Sequence, residues 1–77
     1  MNMTETAIER LNRAVGEDAG QRYAQEALAN LGLRELQTPD DLLRFASYLV
    51  DKGGLLEAVG RALKVSAILR GARPSRA

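Results

Sequence analysis

The sequence predicts an all-α fold: a small domain of four short helices arranged as two helical hairpins, expected to self-associate through the last helix. Three observations predict it. Apolar residues recur at intervals of three and four through four segments, and no segment alternates with the period of two that a strand requires. Glycines stand where these segments end, at Gly16, Gly32, Gly53-Gly54 and Gly71, the residue type that leaves a helix most easily through left-handed backbone. The chain has 77 residues, enough for one domain of several short helices and no more.

In chain order, the first helix is expected over 5–15. Met1 to Met3 are expected to be disordered and Thr4 reads as the N-cap, with Glu5 in the first turn, where a helix favours negative charge. Ile8, Leu11 and Val15 make its core face, flanked by Ala7 and Ala14, and Glu9 and Arg13 form a favourable i,i+4 pair on the outside. The second helix is expected over 18–31. Asp18 is a candidate cap, Gly20 weakens the first turn, and Ala19, Tyr23, Ala24, Ala27, Leu28 and Leu31 form a thin apolar stripe. Gly32 ends it, and Leu33 is placed to fold back on Leu28.

Leu33 and Leu36 are expected to anchor the connection that follows. Thr38-Pro39-Asp40-Asp41 is the strongest local signal in the chain: a capping threonine, proline at the first helical position, and two acids in the first turn. The third helix is expected over 39–52, with Leu42, Phe45, Ala46, Leu49 and Val50 inward and Leu43 and Tyr48 at the edges. Tyr48 reads as a half-buried ring with its hydroxyl in water. Gly53-Gly54 then turns sharply into a fourth helix, expected over 54–70. Residues 1–71 form the domain, and 72–77 read as a disordered basic tail.

The fourth helix has more apolar surface than so small a domain easily hides. Between Leu55 and Leu69 only Glu57, Arg61 and Lys64 are charged, and these share one narrow arc. Gly54, Ala58, Ala62 and Ser66 recur every four residues, a ridge of small side chains that another helix can approach closely. Val65, Ala67, Ile68 and Leu69 leave the last turn apolar all round. Gly60 in mid-helix is unfavourable by roughly 1 kcal/mol relative to Ala. Gly54, Ala58, Ala62, Val65, Ser66, Ile68 and Leu69 are therefore the candidate partner interface.

Composition closes several functions. With no cysteine and no histidine, there is no disulfide, no thiolate metal site and no imidazole base. The serines lack an evident base, and Asp40 and Asp41 are better explained by capping than by acid–base work. No catalytic residue, cofactor site, metal site or small-molecule substrate site is read from the sequence. No segment has the character of a signal peptide or the roughly 20 apolar residues of a membrane span, so a cytoplasmic location is the expectation.

Net charge is +1 but unevenly spread: residues 1–57 hold six basic and ten acidic side chains, and residues 58–77 hold five basic ones and no acid. Lys64, Arg70, Arg73 and Arg76 are thus candidate polyanion contacts. The fourth helix itself is too apolar to read bases in a major groove. The expected function is a non-catalytic protein–protein interaction module. It would be a homodimer, or a subunit docking its last helix on another protein. The alternative is a small regulator contacting nucleic acid through its basic tail.

Overall fold

The computed structural model describes residues 2–73. Four helices, α1 (Met3–Val15), α2 (Glu17–Leu31), α3 (Pro39–Lys52) and α4 (Gly54–Leu69), follow the apolar periodicity, and no strand occurs among the described residues. The departures from expectation lie mostly at helix ends.

α1 begins at Met3, and its N-cap is Asn2 rather than Thr4. The Asn2 side chain accepts the Glu5 N–H at 2.8 Å, and Glu5 Oε1 accepts the Asn2 N–H at 3.2 Å. Two orphan amides are satisfied reciprocally, the arrangement a capping box provides. Thr4 is thereby released for a long-range role: its Oγ1 accepts the Leu36 N–H at 2.7 Å and ties α1 to the 33–38 connection. Met3 is half-buried against the core, so the helix, and not a disordered end, starts there. Ala7 and Leu11 are fully buried; Ile8, Ala14 and Val15 pack beside them, partly covered.

α2 starts directly after Gly16 with no side chain capping it, and Asp18 stands in the first turn instead of capping. Gly20 is buried against α1. A Cβ there would lie 2.9 Å from the Asn12 backbone nitrogen, so the glycine permits a close crossing that any other residue would block. The buried stripe is Gly20, Ala24, Ala27 and Leu28, while Tyr23 lies outside it at 37% exposure. Gly32 (φ 71) closes the helix: its N–H donates to Ala29 O and the Leu33 N–H donates to Leu28 O, the paired bonds of a Schellman end.

α3 opens with Thr38 accepting the Asp41 N–H at 3.1 Å while the Asp41 carboxylate accepts the Thr38 N–H, and Pro39 takes the first helical position. Leu42, Leu43, Phe45, Ala46 and Leu49 are buried. Gly53 and Gly54 both have positive φ (75 and 59), which turns the chain back at once, so α3 and α4 lie face to face. Gly60 is the point of closest approach. A Cβ there would sit 2.7 Å from Ala46 O and 2.8 Å from the Val50 nitrogen. Its mid-helix position thus has a packing reason.

The two hairpins, α1–α2 and α3–α4, pack on each other around Phe45, Leu11, Leu49 and Leu63, the largest fully buried side chains. Past α4 the chain makes a second paired-bond end: the Gly71 N–H donates to Ile68 O and the Ala72 N–H to Ala67 O. Ala72 is buried, and the Arg73 N–H donates to Asp40 Oδ1 at 3.1 Å. The expected disordered tail therefore does not begin at 72; Pro74 to Ala77 lie outside the described residues.

Candidate functional site

α4 carries three distinct faces. Leu56, Val59, Gly60, Leu63 and Ala67 are buried and form the inner face. Glu57, Arg61 and Lys64 form a charged arc on one side of it. The third face is the arc of Leu55, Ala58, Ala62, Val65 and Leu69, all exposed. These five recur at intervals of three, four, three and four. At 3.6 residues per turn they occupy an arc about 80° wide along a helix about 24 Å long. Leu55 is 64% exposed, Val65 59% and Leu69 82%. Such spacing is that of a helix seam facing a second helix, and among the described residues no helix covers it.

The interface residues read from the sequence divide across these faces. Ala58, Ala62, Val65 and Leu69 are on the exposed strip. Gly54 is exposed at the head of the helix. Ser66 is half-buried at the strip's edge, and Ile68 is 43% exposed on the charged arc beyond Arg61 and Lys64. Ala67, read as part of an all-round apolar last turn, is fully buried. Leu55 belongs to the strip and was not among the expected interface residues. Its spacing from Ala58 and Ala62 is the signal that finds it.

One edge of the strip borders α1. Arg10, Arg13 and Ala14 of α1 and Ala58, Val59 and Ala62 of α4 line an open groove of about 330 Å³. Small side chains on α4 and a small residue at Ala14 make this groove; bulkier ones would fill it. Arg13 and Arg61, which stand at opposite edges of the strip, are each paired within their own helix, to Glu9 at 3.2 Å and to Glu57. Each pair offsets the arginine charge within its own helix.

The candidate polyanion residues sit elsewhere. Lys64 and Arg73 line a second groove, of about 620 Å³, with Arg44, Asp40, Asp51, Leu31, Leu43, Ser47 and Tyr48. Arg44 reaches across to Leu31 O at 3.3 Å. Asp40 and Asp51 offset the cations there, so the groove is mixed in sign and not a basic patch. Arg70 is exposed at the end of α4, and Arg76 lies outside the described residues.

Tyr48 is half-buried, but its hydroxyl is engaged. It donates to Glu26 Oε1 at 3.0 Å and accepts from Asn30 Nδ2 at 3.3 Å. Lys52 Nζ lies 3.3 Å from Glu26 Oε1 and 5.1 Å from the Tyr48 ring centre, a cation over an aromatic face. The hydrogen bond from Tyr48, and then Lys52, hold the Glu26 carboxyl below its ordinary range. Tyr48 and then Glu26 raise Lys52. The cluster clasps α2 to α3 at the surface.

Among the described residues no group of three or more acidic side chains stands together as a metal site, and no helix is long and apolar enough to cross a membrane. Neither a family model nor a curated protein nor a solved structure matches the chain.

Proposed function

We propose that this chain is a non-catalytic protein–protein interaction module that docks the outer face of α4 on another helix. One observation carries the reading: Leu55, Ala58, Ala62, Val65 and Leu69 form a continuous exposed strip with seam spacing. Burying a leucine or valine side chain is favourable by about 1.5–3 kcal/mol, and three such side chains stand largely uncovered along one edge. Scattered exposed leucines are ordinary in small proteins, but alignment along one helix edge marks an interaction surface. Contact with nucleic acid through Arg70 and Arg73 has less support, because Arg73 shares its groove with two aspartates and its main chain is tied to Asp40.

The chain has no cysteine, so single-cysteine variants report cleanly on coverage. Val65→Cys and Leu69→Cys should react with a thiol reagent in dilute purified protein as fast as Asp18→Cys on the surface of α2. In cells producing the chain at its native level, positions 65 and 69 should be protected while position 18 is not. Equal labelling at all three positions in cells overturns the reading.

A further inference from the structure

We propose that the groove along the outer face of α3 is a binding site for a short peptide with free termini, held extended, its carboxylate between Arg44 and Lys64 and its ammonium group at Asp51. The groove has a volume of about 620 Å³, within the roughly 300–1,000 Å³ of small-molecule sites. It is separate from the α4 strip: Lys64, which borders it, stands about 160° around α4 from Ala62. The site therefore stands or falls independently of the docking surface.

The helices set the placement of the charges. Asp40, Arg44, Ser47 and Asp51 recur at intervals of four, three and four along α3, so they share one face of it. Arg44 precedes Asp51 by seven residues, about 10 Å along the axis. α4 runs back along α3, with Gly60 against Ala46 and Val50. One turn further along α4 is one turn nearer the start of α3, which brings Lys64 level with Arg44. Two cations thus meet in mid-groove, and an acid stands at one end. At the other end the Arg73 N–H donates to Asp40 Oδ1, so opposite charges stand together there. None of these five charged side chains is in an ion pair among the described residues, whose pairs are Arg13–Glu9, Lys52–Glu26 and Arg61–Glu57. Opposite charges that share one groove yet stand apart suit a ligand that carries both signs.

The rest of the lining fits a peptide. Arg44 is oriented by the bond from its Nη2 to Leu31 O at 3.3 Å, and a guanidinium has further N–H donors that a carboxylate takes in pairs. An extended chain advances about 3.3 Å per residue, so three residues span the distance from Arg44 to Asp51. Ser47 lines the groove midway, a hydroxyl for main-chain amides, while Leu31, Leu43 and the Tyr48 ring supply apolar surface for side chains. The ring is fixed by the bonds of its hydroxyl to Glu26 and Asn30. A bare anion would leave Asp51 unused, and a wholly apolar ligand would take water from five charges and pair none of them.

The test titrates free trileucine into the nitrogen-labelled chain and follows the amide NMR signals. Saturable shifts should cluster at Arg44, Ser47, Asp51 and Lys64. N-acetyl trileucine and trileucine amide should each bind about tenfold or more weakly, one charge-assisted contact being lost in each. Asp51→Asn should weaken free trileucine by a similar factor and leave the acetylated form unchanged. Arg44→Gln should weaken the free form likewise and leave the amide unchanged. Both positions are exposed, and circular dichroism checks that helicity is kept. Shifts that do not saturate, or that spread away from the groove, overturn the site. Equal binding of free and blocked trileucine, or equally tight binding of inorganic phosphate, overturns the peptide as its ligand.

Discussion

The inner and outer faces of α4 are built from almost the same residue types. Leu56, Val59, Gly60, Leu63 and Ala67 face inward; Leu55, Ala58, Ala62, Val65 and Leu69 face outward. Composition and hydropathy do not separate them, and their positions within the turn are what differ. What decides the inner face is the partner it meets: Gly60 is the residue that lets α3 come within contact of the α4 backbone, with Ala46 and Val50 directly opposite. The outer-face residues are all exposed. The difference teaches that an apolar helix face becomes core through a steric match with a neighbouring helix, and stays exposed where no helix of the domain arrives to meet it.

Equivalent substitutions on the two faces sharpen the contrast. Leu63 is fully buried, and Leu63→Ala should lower unfolding free energy by about 2–5 kcal/mol through lost burial and a residual cavity. Against a total of about 4–12 kcal/mol for a chain this size, that approaches loss of the fold. Leu55→Ala removes the same atoms from the outer face and should change the unfolding free energy, read by urea titration of dilute protein, by no more than about 0.5 kcal/mol. Equal destabilisation by the two changes would break the comparison.

Gly60→Ala should be the next largest effect. The added methyl gains roughly 1 kcal/mol of helix propensity but meets backbone atoms of α3 that cannot move aside. Overpacking of this kind typically removes about 1–3 kcal/mol, so the melting temperature should fall despite the better helix former. A rise would show that α3 and α4 can separate without loss.

The smallest effect is electrostatic. Glu26 has its folded pKa lowered, so its contribution to stability is present above the ordinary carboxylate range and is lost as pH falls through the folded value. Lys52 has its folded pKa raised, so its contribution is present below the ordinary lysine range and is lost as pH rises through the folded value. Both groups are exposed, and solvent screens the interaction. Glu26→Gln should flatten the acid limb of a stability-against-pH curve slightly and leave the midpoint near neutral pH almost unchanged. An unaltered acid limb would show that the clasp between α2 and α3 contributes nothing.

Much of the fold was legible because its signals are local. The Thr38-Pro39-Asp40-Asp41 box, the glycine ends at Gly32 and Gly71, and the three-and-four spacing of Leu42, Phe45, Ala46 and Leu49 act within a turn or two of the chain. The misplaced cap at Thr4 and the unforeseen partners of the Tyr48 hydroxyl have one cause: both side chains bond to groups far along the sequence, Leu36 for Thr4 and Glu26 and Asn30 for Tyr48, whose half-buried ring lies where expected. The burial of Ala72 and the bond from Arg73 to Asp40 were likewise invisible to composition, which read 72–77 as one tail. On α4 the sequence marked an excess of apolar surface and the small residues along it, yet missed Leu55, because the ridge of every-fourth residues was read in place of the seam spacing that contains it.

The sequence by itself determined four helices, their order and their hairpin turns, because capping, glycine conformation and apolar period are properties of neighbouring residues. Only the tertiary structure decided which arc of α4 is core and which is surface, and that Gly20 and Gly60 are contact points rather than weaknesses. Those outcomes depend on the distance between backbones remote in the chain, and a missing Cβ acquires meaning only when another helix arrives to occupy its space.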